Sequence, residues 1–390
     1  MAESCPICSS RAIARLDARD DVPIIMNRIY ATSAEARAAK RGPLALAGCT
    51  DCGFVWNTAF DPNLIVYDGE YENDQTFSPS FARHFEQRAR DIVAAVAVDE
   101  PLDFLEVGSG QGRFIEEVAR VAGPRLHSAE GFDPAWRGRE GEGPVGSHIH
   151  TCYFDKTTAG LMQYAPNVVA TRHTIEHVPD PVAFLSAIRE ALGPDARAAV
   201  FVETPCVEWI LRHEAMQDFF YEHCSLFTAD SLSDALHRAG FRGAKIEHVF
   251  GDQYLWARAY TYGEEAPAAK SQGDSRPALE GVRQAFVKKW REDVARRAGV
   301  GRVALWGAGA KGVNFALMTD PDARLIDHIV DVNPGKQDRH VPGSGLKVLS
   351  PKDAAARGAR TIYVMNPNYL DEIRATAAEI GIVADFVPIN

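Results

Sequence analysis

The chain has 390 residues, more than one ordinary hydrophobic core accommodates, so we expect two or three domains. Its formal net charge of −11, without a cluster of Lys and Arg, excludes a nucleic-acid partner, because a basic face is needed to replace phosphate counterions. The sequence contains no apolar run of about 18 residues and no visible secretory start, so we expect a cytoplasmic protein without a membrane partner.

Four of the seven cysteines form two C-x-x-C pairs near the N-terminus, and disulfides are not expected in a reducing compartment. Each pair can turn two thiolates toward one tetrahedral Zn²⁺, and four thiolates leave no open position for water. We therefore predict a structural zinc module with a lid segment over residues 1–78, a looped insertion between the pairs, and a strand at 53–56 packed on the site. Reduced redox thiols or free buried cysteines are the alternative. The predicted ligands are Cys5, Cys8, Cys49 and Cys52.

A tyrosine-rich segment at 67–75 precedes a helix that we predict over 79–96. Phe81 and Phe85 begin an apolar face with a spacing of three to four residues, which is typical of a helix that covers a sheet. Tyr71 in the preceding segment could belong to a lid over a ligand, and plain packing is the alternative.

Residues 102–112 indicate a strand, a tight turn and the start of a helix. The apolar strand ends near Glu106, and three alternate glycines, Gly108, Gly110 and Gly112, allow backbone N–H groups to approach a ligand closely. A carboxylate at this strand end repels a dinucleotide pyrophosphate, whereas it suits the sulfonium and ammonium groups of S-adenosylmethionine. The pattern favours a methyl donor over NAD, and a turn without a ligand is the alternative.

The chain then alternates between strand and helix, as a right-handed parallel sheet requires. Ligands of such sheets bind beyond the carboxyl ends of the strands, where Asp133, His173 and Glu203 are expected. Asp133 can accept hydrogen bonds from both ribose hydroxyls of a donor, with Glu130 as the alternative because strand ends are uncertain. Strands are predicted near 102–107, 128–132, 168–172, 198–203 and 244–250, and helices near 111–121, 182–192 and 228–239.

Taken together, E-x-G-x-G-x-G, the downstream acid and the E-H-V-x-D-P segment at 176–181 resemble class I S-adenosylmethionine-dependent methyltransferases. The resemblance covers roughly 81–262 and implies a doubly wound sheet, with a methyltransferase domain at 79–262. It also implies that Glu106, the glycine turn, Asp133 and His173 contact the donor. A purely structural role is the alternative for His173.

The segment 218–228 contains Tyr221, Glu222 and His223 in succession. These side chains can supply a phenol to bind an oxyanion, a carboxylate to orient a base, and the base itself. The segment is similar to the H-E-H motif of the sugar C-methyltransferases, which methylate nucleotide-linked keto-deoxy-sugars. Glu222 and His223 agree with that motif, whereas Phe220 and Tyr221 stand where the family has Tyr and His.

The same family has an H-V-P-D segment whose histidine corresponds to His177. The resemblance implies His223 as the base, oriented by Glu222, with Tyr221 or His177 stabilising the enolate, although which histidine acts as the base is left open. A role of Glu222 and His223 in capping a turn is the alternative.

A polar linker is predicted at 263–277 and a Rossmann-like domain at 278–390. Read alone, the G-A-G-A-K-G turn at 307–312 and Asp331 predict an NAD site. The sugar C-methyltransferases also end in such a domain, which helps to hold the nucleotide-sugar, so the resemblance implies that Lys311 and this turn receive a diphosphate. Bound NAD and an empty structural unit are the alternatives.

These patterns predict a three-domain α/β enzyme that moves a methyl group from S-adenosylmethionine to a carbon of a nucleotide-linked keto-deoxy-sugar. The expected acceptor is a small molecule, for which Tyr71, Glu203 and Lys311 are the predicted contacts. An O- or N-methyltransferase for another small acceptor is the first alternative, and an NAD-binding dehydrogenase or regulatory protein is the second.

Overall fold

The computed structural model describes residues 4–264 and 278–389, so the predicted linker lies outside the described residues from position 265 onward. Three sheets follow one another: an antiparallel sheet of four strands, a mixed sheet of seven and a parallel sheet of five. The predicted α/β class is confirmed, with a doubly wound central sheet.

The elements are numbered in chain order. The strands are β1 Ile13–Pro23, β2 Arg41–Cys49, β3 Val55–Asn57, β4 Leu102–Val107, β5 Leu126–Phe132, β6 His148–His150, β7 Val168–Arg172, β8 Ala199–Pro205, β9 Ser225–Leu226, β10 Arg242–Val249, β11 Tyr254–Tyr260, β12 Val303–Trp306, β13 Ile326–Val330, β14 Val348–Leu349, β15 Thr361–Val364 and β16 Asp385–Pro388. The α-helices are α1 Ser33–Arg37, α2 Pro79–Ala94, α3 Arg113–Ala122, α4 Pro181–Leu192, α5 Val207–Arg212, α6 Ala229–Arg238, α7 Leu279–Ala298, α8 Ala310–Thr319, α9 Pro351–Arg357 and α10 Leu370–Glu379.

The N-terminal sheet has the strand order β1-β2-β3-β9. β1 and β2 form an extended antiparallel pair between the two cysteine pairs, where the sequence predicts only a looped insertion. Alternating burial along β1 is interrupted by two register shifts, which weakens the period-two signal of this strand. β9 comes from far along the chain, so this sheet includes a strand from the segment that carries Tyr221, Glu222 and His223.

The central sheet has the order β10-β11-β8-β7-β4-β5-β6. β4 lies between β5 and β7 in parallel register, and β11 runs antiparallel to β8. The predicted strands and helices of this region begin and end within two residues of the observed ones, while β6 and β11 were not predicted. The carboxyl ends of β4, β5, β7 and β8 meet at one edge, which is where a ligand of a doubly wound sheet binds.

The C-terminal sheet is parallel, with the order β14-β13-β12-β15-β16. One hydrophobic cluster joins it to the other two sheets, through residues such as Leu46 of β2, Val200 of β8 and Phe315 of α8. Burial of each such side chain contributes about 1.5–3 kcal/mol, so the three units stabilise one another. Among the described residues, no helix is both long and apolar enough to cross a bilayer.

Candidate active site

The four predicted zinc ligands come together at the base of the N-terminal sheet. The Sγ atoms of Cys5 and Cys52 are 3.6 Å apart, and those of Cys8 and Cys49 are 3.5 Å apart. A tetrahedral zinc with Zn–S bonds of about 2.3 Å needs about 3.8 Å between its sulfurs, so this cluster fits the ion closely. Each cysteine pair lies on a tight turn of the same type. The N–H of Ser9 donates to the carbonyl of Cys5 in the first turn, and the N–H of Gly53 donates to the carbonyl of Cys49 in the second.

The N-terminal unit also holds the segment that carries the predicted base. Residues 55–56 in β3 pair with β9, just after His223. The N–H of Met26 donates to the Glu222 carboxylate at 2.9 Å, and the N–H of Asp61 donates to the Tyr221 hydroxyl at 2.9 Å. The position of His223 therefore depends on contacts made by a separate sheet.

A cavity of about 740 Å³ opens at the carboxyl ends of β4, β5 and β7, and we call it the strand-end cavity. The glycine turn forms one wall, with φ values of +78° at Gly108, +53° at Gly110 and +70° at Gly112. A Cβ at Gly108 would lie 1.9 Å from Thr174 Oγ1, so a side chain cannot be accommodated. A Cβ at Gly110 would meet no described atom within 4 Å, which leaves its backbone open to close approach by a ligand.

Two predicted carboxylates line this cavity. Glu106 is buried, and its Oε2 has no hydrogen-bond partner among the described residues. Burial raises the pKa of Glu106 to about 8, because the Arg172 guanidinium only partly offsets desolvation and the carboxylate of Asp133 adds to the shift. An unpartnered buried carboxylate beside a glycine turn is suited to a cationic group of a ligand.

Asp133 follows β5 directly, and burial raises its pKa although the N–H groups of Ala135 and Gly110 donate to it. A carboxylate has about four lone-pair sites, so two remain for ligand hydroxyls. The alternative, Glu130, instead accepts the N–H groups of Gln163 and Tyr164 and is separate from the described lining of the strand-end cavity.

A second cavity of about 410 Å³ lies where the three sheets meet, and we call it the interface cavity. Asn27 contributes from the N-terminal unit, Glu176 and His223 from the central unit, and Lys311 and Asn333 from the C-terminal unit. An acceptor that binds here would contact all three units.

The two cavities share part of their lining. Tyr71, His173 and His177 are among the residues that border both of them, so the two cavities adjoin at these side chains. His173 has φ +49°, an uncommon left-handed conformation for a residue with a side chain. Its Nδ1 is 3.3 Å from Glu176 Oε1.

His177 is half-buried, and its Nδ1 is 3.0 Å from the backbone carbonyl of Glu222 and 2.8 Å from the Tyr67 hydroxyl. The Glu222 carbonyl can only accept, whereas the Tyr67 hydroxyl can accept or donate. In the tautomer in which Nδ1 donates to the carbonyl, the lone pair of Nε2 is free. Burial lowers the pKa of His177, which favours this neutral form.

His223 lines the interface cavity, with its ring centroid 4.8 Å from that of His177 and 4.0 Å from that of Phe220. Burial lowers the pKa of His223 well below its usual value, and the neighbouring His177 and Lys311 add to the effect. Both histidines are therefore held neutral and able to accept a proton.

Three predicted site residues are positioned differently from the expectation. Within the described part of the chain, the lining of the two cavities does not include Tyr221, Glu222 or Glu203. The Tyr221 hydroxyl accepts the N–H of Asp61, and Glu222 Oε1 accepts the N–H of Met26, while Glu222 Oε2 has no hydrogen-bond partner among the described residues. The Glu222 carboxylate holds the N-terminal unit rather than His223, and burial raises its pKa to about 8.

Glu203 is fully buried between Arg172 and His84. Burial alone would raise its pKa, but these two partners hold it below the usual range. Glu203 thus neutralises the buried Arg172, whose guanidinium stacks on the Phe85 and Phe114 rings, and a substrate contact is not part of this arrangement.

Lys311, a predicted substrate contact, stands at the start of α8 and lines the interface cavity. Its Nζ lies 3.1 Å from Asp218 Oδ2 and 3.2 Å from Gln253 Oε1. The N-terminus of α8 also faces this cavity, through the backbone of Gly309 and Ala310.

Sequence reasoning missed Glu176 and Glu72. Glu176 is fully buried, lines the interface cavity and stands beside both histidines, and the E-H-V-x-D-P segment contained the signal. Glu72 is buried and binds Arg137 at 3.0 Å and Asn333 at 3.0 Å, which are distant in sequence. A tertiary pairing of this kind has no local sequence signal.

Two family models match the chain. A methyltransferase domain matches residues 81–246, and a C-methyltransferase C-terminal domain matches residues 280–385. Among curated proteins, the chain is similar to the C-methyltransferase NovU of Streptomyces niveus, with 24% identity over 361 residues, covering 85% of this chain and 82% of that protein.

Solved methyltransferase structures resemble about half of this chain. A methyltransferase in complex with the Trm112 activator of Haloferax volcanii has 14% identity and a TM-score of 0.36, covering 49% of this chain and 99% of that one. The plantazolicin methyltransferase BamL has 9% identity and a TM-score of 0.38, covering 47% of this chain and 86% of that one. The chain is therefore a methyltransferase, in which a methyltransferase domain is followed by a segment that matches a C-methyltransferase C-terminal domain.

Proposed function

We propose that the chain transfers a methyl group from S-adenosylmethionine to a carbon next to the ketone of a nucleotide-linked keto-deoxy-sugar. The observation that carries this proposal is the junction of the two cavities at Tyr71, His173 and His177. A donor in the strand-end cavity and an acceptor in the interface cavity would meet there, beside a neutral imidazole. The similarity to a C-methyltransferase over most of the chain supports carbon as the methylated atom.

The strand-end cavity suits the donor. Glu106 offers an unpartnered carboxylate to the ammonium group, and Asp133 offers free lone pairs to the ribose hydroxyls. When bound, S-adenosylmethionine supplies an electrophilic methyl group on a sulfonium, so the chain itself has to position the partners and activate the acceptor.

Activation of the acceptor needs a base, because a carbon-bound proton next to a ketone is only weakly acidic. His223 and His177 both present neutral imidazoles to the interface cavity. One of them removes the proton, and the enolate carbon that forms is the nucleophile for the methyl group. In the tautomer in which Nδ1 donates to the Glu222 carbonyl, His177 keeps its Nε2 lone pair.

The interface cavity suits a nucleotide-sugar through its C-terminal wall. The N-terminus of α8 favours an anion, and α8 has ten residues, which is long enough to present an appreciable dipole. Lys311 favours an anion as well, although a bound phosphate would share its ammonium group with Asp218. A diphosphate bound here would point the sugar toward His223. The zinc module would support the segment 219–227 from the opposite side, with Zn²⁺ held by the four thiolates in a structural role.

Exchange of the acceptor's carbon-bound hydrogen with solvent deuterium tests this function. A panel of nucleotide-linked keto-deoxy-sugars, incubated with the protein but without S-adenosylmethionine, should show exchange next to the ketone by NMR. His223→Ala and His177→Ala are compared, and loss of the base should slow exchange by about 10²–10⁴-fold. Since burial lowers the pKa of both histidines, the acid limb of the rate profile should lie below pH 6.5 and should vanish with the base.

Retention of exchange in only one variant identifies the other histidine as the base. Methylation of an acceptor oxygen or nitrogen, with no carbon exchange in the wild type, would overturn C-methylation in favour of an O- or N-methyltransferase.

A further inference from the structure

We propose that Glu176, His177 and His223 form a binding site for a divalent transition-metal ion, and that a bound ion blocks the base of the reaction. The metal site rests on geometry alone, whereas its inhibitory effect rests on the proposed function. This site is separate from the four-cysteine cluster and uses nitrogen and oxygen ligands instead of thiolates.

The three side chains are already close enough to share one ion. One ligand atom of each residue lies within 4.8 Å of a ligand atom of each of the other two. A tetrahedral Zn²⁺ with bonds of about 2.1 Å needs about 3.4 Å between ligands, so the side chains have to approach by at most about 1.4 Å. His177 and His223 are half-buried and Glu176 is buried, and all three line the interface cavity.

The surroundings have the features that orient metal ligands in proteins. A metal-binding imidazole usually donates its other N–H to a carbonyl or carboxylate, and His177 Nδ1 lies 3.0 Å from the Glu222 carbonyl. In the tautomer that donates this bond, Nε2 is the nitrogen with a lone pair available to a metal ion. Glu176 is fixed in the same way, because its Oε2 accepts the Thr204 hydroxyl at 3.2 Å while Oε1 stays near His173.

The ligand set selects the class of ion. Two imidazoles and one carboxylate suit Zn²⁺, Co²⁺ or Ni²⁺, whereas Mg²⁺ and Ca²⁺ prefer sets made of oxygen only. Three protein ligands leave at least one position open toward the cavity. An imidazole that coordinates a metal through its lone pair cannot accept a proton, so a bound ion would silence both candidate bases at once.

Two other clusters in the described chain provide controls. Glu140, His148 and His150 form one, and Cys206, Glu208 and His248 form the other. Glu140 is exposed and Glu208 is half-buried, so both are more accessible than the fully buried Glu176. If Co²⁺ bound to the more accessible control clusters instead, Glu140→Gln or Glu208→Gln would reduce binding.

The test is a titration of the full-length protein, with Zn²⁺ already in the cysteine cluster, by Co²⁺ alone. We expect one equivalent of Co²⁺ to bind with the weak d–d absorption of nitrogen and oxygen ligands, without the intense charge-transfer bands of thiolates. Loss of a residue that only hydrogen-bonds to a metal ligand weakens binding by about 10–100-fold, so loss of a ligand itself, in Glu176→Gln or His223→Ala, should weaken it at least as much. Both control variants should bind Co²⁺ as the wild type does.

Circular dichroism and the melting temperature establish that each variant is folded. Absence of a Co²⁺ spectrum of nitrogen and oxygen ligands, or an unchanged affinity in both Glu176→Gln and His223→Ala, would overturn the metal site and leave the methyltransferase proposal intact. Metal binding that depends on Glu176 without any effect on deuterium exchange would retain the site and overturn its inhibitory role. We expect Zn²⁺ or Co²⁺ to inhibit deuterium exchange. A chelator should restore exchange by removing this ion before the zinc of the cysteine cluster is lost.

Discussion

At the scale of single residues, Glu106 has an electrostatic imbalance that points to a ligand. A buried carboxylate without a partner for Oε2 is costly, and the free protein reduces the cost by keeping the group protonated, with a pKa near 8. A cationic ligand offers the other solution, because it compensates the charge directly. The same reasoning explains why Arg172, also buried in this region, is paired with Glu203.

We predict that binding of S-adenosylmethionine at pH 6.5 releases a proton from Glu106. The carboxyl is protonated below its pKa of about 8 in the free protein, and a cationic donor favours the ionised form, so affinity should rise as the pH increases toward 8. Calorimetry in two buffers with different ionisation enthalpies measures the released proton. Glu106→Gln should abolish the release, while Glu130→Gln, a buried carboxylate elsewhere, should retain it. An equal proton release in Glu106→Gln would contradict this role.

At the scale of elements, the segment 216–227 is held between two other parts of the protein. β9 pairs with β3 on one side, and Asn314 of α8 donates to the carbonyls of Gln217 and Phe219 on the other. His223 lies between these anchors on an irregular stretch that has little secondary structure of its own. We therefore expect the cysteine cluster to support the position of His223 through β3, the strand that follows its second cysteine pair.

We predict that loss of the metal from the cysteine cluster lowers turnover while affinity for S-adenosylmethionine is nearly unchanged. Displacing a catalytic group by about 1 Å can cost about 100-fold in rate. Loss of the metal would free β3, and His223 would then be able to shift because β9, which follows it, pairs with β3. Cys8→Ser and chelated wild-type protein are assayed for zinc content, melting temperature and turnover. Cys152→Ser, a free cysteine outside the cluster, is the matched control. Equal turnover with and without the metal would show that the cluster does not support the site.

At the scale of the whole molecule, Glu72 connects the two cavities. Its carboxylate binds Arg137, next to the strand-end cavity, and Asn333, in the C-terminal unit. The same two residues also bind the backbone on either side of Glu72, since Arg137 donates to the carbonyl of Tyr71 and Asn333 to the carbonyl of Asp74. The segment 71–76 thus lies across both cavities and is bound to both walls.

We predict that donor-site and acceptor-site binding are coupled through this segment. S-adenosylhomocysteine should increase affinity for the acceptor by about 5-fold or more in the wild type, and the acceptor should increase affinity for S-adenosylhomocysteine by the same factor. Glu72→Ala removes both contacts and should reduce the factor toward one. Glu142→Ala, which breaks an exposed ion pair with Arg139, should leave it unchanged. Calorimetric titrations with and without the second ligand measure the coupling, and a full factor in Glu72→Ala would disprove it.

The sequence by itself determined the class of fold, the cysteine cluster and the glycine turn. These features follow from local rules: a run of apolar residues with a fixed period, the spacing of C-x-x-C, and positions where only glycine permits φ above zero. For the same reason five of the seven strands of the central sheet were predicted within two residues, whereas β6 and β11 were not predicted and β1 and β2, with their shifted register, were predicted as a loop.

The tertiary structure alone decided which polar side chains face a cavity. Tyr221, Glu222 and His223 are adjacent in sequence, yet only His223 reaches the interface cavity, because Asp61 and Met26 hold the other two. Glu176 lies beside the two histidines because it follows the end of β7. Glu72 binds Arg137 and Asn333, which come from two distant segments. Local sequence sets what each residue can do, but the long-range pairing of backbone and side-chain groups sets where its polar atoms point.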